Sequence, residues 1–474
     1  MKAKEKKTKA PVDLCTRPLF GKTVLFALPL VFTAVLQLLY NAADIIVLGR
    51  FAGEESEAAV AAVGNTGALI NLITNLFIGL SVGALAVVAR FAGARDGERV
   101  SKSVHTALSV SVIGGVIVGL IGFFCSGVML KWMDTPDGVL DLSALYLKIY
   151  FCGMPFNFLY NFGAGILRAC GDTRRPLVAL AAAGVANIAL NIITVAGLKM
   201  SVAGVGIATV VSQAVSAAGV VIALLRRKDA ARLCLKKLRI HKAAFIDIVK
   251  IGLPAGIQGV VFSLSNVVIQ SSINGFDEVA MAGNAAASNI EGFVYVAMNA
   301  VSQACLTVAG QNYGAAKPEN IDLALVQCLL LVTGVGLVMG LSAYFLGRPL
   351  LRAYGCSSEA VEYGIERLGL ILIPYFLCGI MEVAVGVLRA IGRSVSPMVV
   401  SIFGVVGLRV LWVFTLFRVR HTLFMLYLSY PVSWLVTLLV QFVCYFAVRG
   451  KTFRKLREMR AEREKADASE EVVS

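Results

Sequence analysis

The sequence predicts an all-α integral membrane protein whose twelve transmembrane helices form two pseudo-symmetric six-helix lobes around a central cavity. The first observation is composition: of 474 residues, 58% are hydrophobic and 15% charged, and the mean hydropathy is +0.79. A soluble protein of this size could not cover its surface with so few charges. The other two observations are a series of bilayer-length apolar runs and an internal repeat.

Twelve apolar runs of about 20 residues or more can cross the hydrocarbon core as helices. Prolines at positions 29, 155, 254 and 374 fall inside four of the runs, and we expect each to kink its helix. The runs lie at 24–48, 58–89, 103–128, 140–166, 176–198, 203–225, 247–273, 279–309, 322–346, 361–388, 398–417 and 423–447.

Lysine and arginine are unevenly distributed between the two sides of the predicted bundle. Of 44 such residues, 34 lie in the N-terminus, in the connections after even-numbered spans and in the C-terminal tail, whereas seven lie on the other side and three inside spans. The positive-inside rule therefore predicts that both termini are cytoplasmic.

This distribution also predicts the domain organisation. We expect a cytoplasmic N-terminus at 1–23, an N-lobe at 24–225, a basic cytoplasmic linker at 226–246, a C-lobe at 247–447 and a charged cytoplasmic tail at 448–474. Two interpretations of the linker stay open, a solvated connector and a contact with lipid headgroups.

An internal repeat relates the two lobes. LRACGDTRRP at 167–176 matches LRAIGRSVSP at 388–397, 221 residues later, and Asn41 pairs with Asn266 at an offset of 225. Gly64-Asn65 pairs in the same way with Gly283-Asn284. Because each half contains an even number of spans, both halves have the same orientation and are related by an axis along the membrane normal. We expect the substrate to bind between them.

The first span carries Gln37, Asn41 and Asp44 on one helical face, because they are spaced four and three residues apart. A charged side chain in hydrocarbon costs about 2.5 to 3.5 kcal/mol at mid-helix, so Asp44 should face protein or water. Two interpretations stay open, a structural acid hydrogen-bonded to a neighbouring helix and an ion or substrate site.

The second half of the chain has its own polar candidates. Glu291 in the eighth span and Glu382 in the tenth could each bind a cation or form an internal hydrogen bond. Arg409 in the eleventh span could reach either acid as a structural partner. Asn266 and Gln270 form a neutral polar stripe on the seventh span that could line the cavity.

Four aromatic residues of the fourth span could hold an organic cation through cation–π contacts, but we favour packing and interfacial anchoring as their role. They are Tyr146, Tyr150, Phe156 and Tyr160.

Several classes of function are excluded by missing motifs. The sequence has no Walker A motif and no GxGxxG, and its three histidines form no HExxH, so we expect no enzyme and no nucleotide site. Ten singly placed cysteines predict neither a metal site, nor a disulfide framework, nor a cofactor. The net charge of +15 does not indicate nucleic-acid binding, because the basic residues lie in short loops and tails.

Together, three motifs make the chain resemble a bacterial-type multidrug and toxic compound extrusion (MATE) transporter over about residues 20 to 447. They are YNAADIIVLGRF in the first span, VARFAGARDGER after the second, and the paired LRACGDTRRP and LRAIGRSVSP. The resemblance implies a multi-pass protein of the bacterial plasma membrane. It also implies secondary active export of cationic or amphipathic organic compounds in exchange for protons or sodium ions. We favour a monomer.

The resemblance assigns ion coupling to acids of the N-lobe, where Asp44 matches the first-span member. Related transporters often have Asn-x-x-x-Asp in the fifth span, but this chain has Asn187 and Asn191 there, and Thr209 fits a further polar position. These four residues form a possible sodium site with a single negative charge. Hard cations gain from each added carboxylate, whereas one buried carboxyl can still take and release a proton, so we favour protons.

Two alternative functions stay open. A flippase for a lipid-linked glycan can share the two-lobe plan, but commonly lines its cavity with several basic residues. Here only Lys148, Arg367 and Arg409 lie within spans, and the first two are expected near the outer ends. The other alternative is a membrane receptor or scaffold that transports nothing, which a cavity-free bundle would support.

Overall fold

The computed structural model describes residues 12–51, 53, 56–133 and 135–473, without the side chains of 57, 65, 68 and 466–473. The first eleven residues of the predicted N-terminal segment and the Asn65 side chain of the repeat therefore lie outside the described residues. Within the described ranges, all regular structure is helical.

Seven α-helices form the N-lobe, and a π-helical stretch, Ile192–Gly197, extends the sixth of them. These helices are α1 Leu19–Phe51, α2 Ser56–Gly93, α3 Gly97–Trp132, α4 Asp137–Cys152, α5 Met154–Ala169, α6 Arg174–Asn191 and α7 Ser201–Leu225.

Ten α-helices form the C-lobe, and a second π-helical stretch, Ile402–Gly407, interrupts its fifth span. They are α8 Lys242–Ile273, α9 Glu278–Gly314, α10 Pro318–Phe345, α11 Gly347–Ala353, α12 Ser358–Leu372, α13 Phe376–Ala390, α14 Val395–Ser401, α15 Leu408–Phe414, α16 Leu416–Val419 and α17 Leu423–Val473.

The prediction of an all-α protein with twelve membrane spans is confirmed. In the described part of the chain, ten helical segments are long and apolar enough to cross a bilayer, and two bent helix pairs supply the remaining spans. The pairs are α4–α5, bent by 48°, and α12–α13, bent by 43°. They break beside Pro155 and Pro374, whereas α1 and α8 continue unbroken through Pro29 and Pro254.

The repeat motif ends the last helix before each lobe's fifth span in the same way. Gly171 and Gly392 have φ of +82° and +88°, a left-handed conformation that glycine adopts without a steric penalty. The next residue's N–H donates back to the carbonyl of Leu167 at 2.9 Å or Leu388 at 2.8 Å, as in a Schellman cap. The shared LRA-x-G pattern therefore encodes the same helix end twice.

Glycines bring the two lobes into backbone contact where α2 crosses α8. A Cβ atom at Gly79 would lie 2.1 Å from the backbone N of Gly256, and one at Gly83 would lie 2.4 Å from the carbonyl oxygen of Ile248. Small residues permit such an approach between membrane helices.

A second contact between the lobes lies at the end of the bundle where α1 begins and α2 and α9 end, which we call the basic end. There a Cβ at Gly314 would lie 1.8 Å from the carbonyl oxygen of Arg90. The Arg90 guanidinium also donates to the carbonyls of Arg389 and Ala390, both at 2.8 Å, at the C-terminus of α13. The lobes are thus joined at this end.

The described part of the N-terminal segment packs over the C-lobe. Leu14 is fully buried, and its carbonyl accepts from Asn312 Nδ2 at 2.9 Å. The next carbonyl, of Cys15, accepts from Lys317 Nζ at 3.0 Å. This segment therefore belongs to the folded body.

The linker is also partly docked. The Cys234 N–H donates to His105 Nε2 of α3 at 3.0 Å, and Arg227 is buried against Asp229. Hydrogen bonding from Arg227 holds the pKa of the Asp229 carboxyl below its usual range. The lysines at 236 and 237 remain exposed.

The charged segment predicted as a tail continues the last membrane helix, because α17 extends to Val473. Two residues around the start of this segment contact α10: Tyr445 donates to Asp322 Oδ1 at 2.7 Å, and Arg449 pairs with the same carboxylate. Further along, Arg460 and Glu464 form an i,i+4 pair at 2.9 Å, a spacing that supports an exposed helix.

We expect Gly79→Ala to lower the free energy of unfolding by about 1 to 3 kcal/mol, because the added methyl group forces α2 away from α8. Gly67→Ala in the same helix is the matched control, since a Cβ there meets no atom within 4 Å. The measurement is the midpoint of thermal unfolding of both variants in detergent. Equal shifts at the two positions would contradict the assignment of the close contact to Gly79.

Candidate ion-coupling and ligand sites

Asp44 lies at the junction of α1, α6 and α7 and is 6% exposed. Its carboxylate accepts two side-chain hydrogen bonds. Asn191 Nδ2 donates to Oδ1 at 2.6 Å, and Thr209 Oγ1 donates to Oδ2 at 3.3 Å. The structure therefore brings the predicted polar residues of three spans together around one carboxyl group.

The two asparagines of α6 give this cluster spare hydrogen-bonding capacity. Asn191 Nδ2 also donates to Asn187 Oδ1 at 3.0 Å, since residues four apart share a helix face. Among the described residues, Asn187 Nδ2 and Asn191 Oδ1 have no partner. Rotation of either side-chain amide exchanges a donor for an acceptor. The cluster can therefore form hydrogen bonds with an ionised or a protonated carboxyl.

A cavity of about 400 Å³, which we call the N-lobe cavity, adjoins Asp44. Gln37 and Asn41 line it and are exposed, so the predicted polar stripe faces this space. Of the four aromatic candidates, Phe156 does not line the cavity. Other lining residues are Asn71, Tyr146, Tyr150, Asn157, Tyr160, Asn161, Arg168, Thr209 and Gln213.

Arg168 is a cavity residue that the sequence analysis did not single out. Its Nη1 donates to Gln303 Oε1 of α9 at 3.0 Å, so it connects the two lobes. Nearby, Gln311 Nε2 donates to the carbonyl of Ala169 at 2.7 Å. The signal in the sequence is its place in LRACGDTRRP, a motif that indicates the repeat and the family but not a contact with α9.

Glu291 is bound within the C-lobe by Arg367, which corrects one expectation. Two parallel hydrogen bonds, both of 2.7 Å, join the guanidinium to the carboxylate, and Arg367 Nη1 also donates to Asn284 Oδ1 at 2.6 Å. Arg409, not Arg367, was expected to be able to reach this acid. Packing of α12 against α9 instead buries Arg367 beside Glu291, where a bidentate pair compensates both charges.

Arg409 has a different environment from the one expected. Its Nε donates to Ser433 Oγ at 3.0 Å, and its guanidinium carbon lies 4.1 Å from the ring centroid of Tyr430. Within the described part of the chain, it forms no ion pair with Glu291 or Glu382. The eleventh span carries Arg409 towards aromatic residues of α17, and this packing could not be read from the sequence.

A second cavity, of about 430 Å³, which we call the C-lobe cavity, holds the remaining candidates. Asn266 and Gln270 line it, and Gln270 Oε1 accepts from Asn284 Nδ2 at 3.3 Å. Glu382 also lines it and is 7% exposed. Further lining residues are Glu291, Tyr295, Arg367, Tyr375, Cys378, Arg409, Tyr430 and Trp434.

The two cavities are chemically different although the lobes share a repeat. The residue 225 positions after Asp44 is Ile269, which is buried, and the residue 221 positions before Glu382 is Asn161, which lines the N-lobe cavity. Each lobe therefore has a carboxyl where the other has an uncharged residue.

Comparison with known proteins identifies relatives over most of the chain. The MatE family model matches residues 29–193 and 254–415. The probable multidrug resistance protein YoeA of Bacillus subtilis (strain 168) is 27% identical over 441 residues, which cover 91% of this chain and 95% of that protein. The multidrug export protein MepA of Staphylococcus aureus (strain NCTC 8325 / PS 47) is 23% identical, covering 81% of this chain and 84% of that protein.

Solved structures share the fold. An outward-facing multidrug resistance MATE family transporter of the MOP superfamily superposes with a TM-score of 0.85 at 23% identity, covering 96% of this chain and all of that one. A MATE structure in a bent conformation superposes with a TM-score of 0.83 at 22% identity, covering 94% of this chain and 98% of that one. With the family model matched in both lobes, the chain belongs to the multidrug and toxic compound extrusion family of membrane transporters.

Proposed function

We propose that the protein is a secondary active multidrug efflux transporter of the bacterial plasma membrane, with both termini cytoplasmic, and that it exchanges cationic or amphipathic organic compounds for protons at Asp44. The names of its relatives, a probable multidrug resistance protein and a multidrug export protein, support the substrate class. The observation that carries the coupling proposal is the buried carboxyl of Asp44, which accepts hydrogen bonds from two neutral donors beside a cavity.

Protonation of Asp44 requires its hydrogen bonds to rearrange. The ionised carboxylate accepts from Asn191 and Thr209, whereas a protonated carboxyl must donate its O–H. Asn191 Oδ1 has no donor among the described residues, and it can accept this O–H when the amide rotates Oδ1 towards Asp44. Proton binding thereby changes how α1 is joined to α6.

An organic cation and a proton compete for the carboxylate of Asp44. An organic cation in the N-lobe cavity is attracted by ionised Asp44 and by the faces of Tyr146 and Tyr150, and protonation removes the charge. Binding of one therefore weakens binding of the other, which is the coupling that an exchanger needs.

Protons are preferred over sodium ions because the cluster supplies one carboxylate. A hard cation needs several oxygen ligands, yet the Asn191 amide directs an N–H at both Asp44 and Asn187. Sodium would require that amide to rotate before all the oxygens faced inward.

The alternative functions have less support. Two cavities fit a transporter better than a receptor or scaffold that needs none. For a flippase, the two cavities supply few free basic residues, because Arg367 is paired with Glu291 and only Arg168 and Arg409 remain among the described lining residues.

We expect Asp44→Asn to abolish proton-driven efflux in vesicles, because the amide cannot titrate. Asn187→Ala should reduce efflux by about fivefold or less, since it removes one hydrogen-bond partner and no titrating group. Asp141→Asn, an exposed acid of α4, is the control and should retain efflux. Full activity of Asp44→Asn at matched protein level would exclude Asp44 as the proton carrier.

A proton gradient should drive uptake of an organic cation into inverted vesicles, whereas a sodium gradient at constant pH should not, because one carboxylate suffices for a proton. The measurement is accumulation of a fluorescent cation with each gradient imposed separately. Accumulation driven by sodium alone would make the cluster of Asp44, Asn187, Asn191 and Thr209 a sodium site.

The orientation can be tested with single cysteines in a cysteine-free chain. Lys237→Cys in the linker should react with an impermeant maleimide only after intact cells are permeabilised, and Arg420→Cys, exposed at the opposite end, should react at once. The reverse pattern would place the basic end outside the cell.

A further inference from the structure

The C-lobe cavity contains an unpaired buried cation. Arg409 is 5% exposed and lines the cavity, and within the described residues it forms no ion pair. The other arginine of this cavity, Arg367, is neutralised by the bidentate contact with Glu291. A buried charge normally has a compensating partner, so Arg409 lacks the partner that Arg367 has.

The guanidinium of Arg409 is held in place while its ends stay available. Ser433 accepts from Nε, and the rings of Tyr430 and Trp434 lie 4.1 and 5.8 Å from the guanidinium carbon. These contacts orient the group but use one of its five N–H donors. The two Nη groups have no hydrogen-bond partner among the described residues and are not sealed off by protein.

The residues that line the cavity limit which ligands could bind to Arg409. Tyr375 and Trp434 stack with ring centroids 5.1 Å apart, and Tyr295 and Met381 also line the space. A volume of about 430 Å³ accommodates a small organic molecule. Aromatic walls favour a flat apolar body, and a planar guanidinium favours a planar carboxylate that accepts two parallel hydrogen bonds.

We propose that the C-lobe cavity is a second ligand site, which binds an aromatic carboxylate through the Nη groups of Arg409 and its body between the aromatic walls. The proposed ligand contacts a cation of this cavity, Arg409, whereas the proposed efflux mechanism uses the carboxyl of Asp44 in the N-lobe cavity. The second site does not depend on the coupling role of Asp44. Glu382 is the like-charged neighbour in this cavity, and the ligand's carboxylate must avoid it.

The test is calorimetric titration of the full-length protein in nanodiscs with 2-naphthoate, with empty nanodiscs as the blank. The neutral 2-naphthamide and the cationic 2-naphthylmethylammonium have the same aromatic body. We expect 2-naphthoate to bind about tenfold or more tightly than either, because only the carboxylate can accept both hydrogen bonds. Sodium chloride at the same concentration should not displace it.

Four variants locate the site. Arg409→Gln should weaken 2-naphthoate binding about tenfold or more, and Arg409→Lys should weaken it less, because it keeps the charge but loses the planar fork. Arg418→Gln is the matched control, since Arg418 also lies against a ring, that of Phe414, but is exposed outside the cavity. Glu382→Gln should bind equally or more tightly. Gel filtration shows whether each variant is folded.

Asp44→Asn separates this proposal from the proposed efflux mechanism, because it should lose proton-driven efflux and still bind 2-naphthoate. Equal binding of the three naphthalene compounds, or unchanged binding in a folded Arg409→Gln, would overturn the proposal. Loss of binding in Glu382→Gln would overturn it as well, because the ligand would then be held by a carboxyl.

Discussion

The need to compensate charge inside a bilayer determines how the interior of this protein is arranged. Three buried charged residues have different surroundings here, since a charge in hydrocarbon is costly. Asp44 accepts from an amide and a hydroxyl, Glu291 binds Arg367 through two hydrogen bonds, and Arg409 lies on the ring of Tyr430. Each solution requires side chains from different helices, so the charged residues also determine which helices must adjoin.

The contacts of these buried charges differ in how easily they can rearrange. The pair of Glu291 and Arg367 is bidentate and buried, and breaking such a pair costs about 3 to 5 kcal/mol, which suits a structural role. The carboxyl of Asp44 is held by neutral groups with a spare donor and a spare acceptor beside it. A neutral network can reorganise around a proton at lower cost, which makes Asp44 the better candidate for exchange.

The joined lobes depend on glycine, which supplies no side chain at all. Where α2 crosses α8 and where α2 and α9 end, backbones approach so closely that a Cβ at Gly79 or Gly314 would overlap the opposite helix. Alternating access in a transporter requires the lobes to separate and rejoin, and a contact made without interlocking side chains can separate without side-chain rearrangement. The side chains of Arg90 and Arg168 add hydrogen bonds between the two lobes.

Amino-acid sequence alone determined the class, the twelve spans, the repeat and the expectation that Asp44 faces protein or water, because hydropathy, helical periodicity and the rarity of charge in membranes act along the chain. The repeated LRA-x-G pattern also marks the two helix ends with glycine, because the left-handed backbone conformation there favours glycine at that position. Only the tertiary structure decided that Arg367, not Arg409, binds Glu291, and that the charged tail continues α17. Partner choice depends on which helix faces meet, and residues 76 positions apart in sequence carry no local signal of their contact.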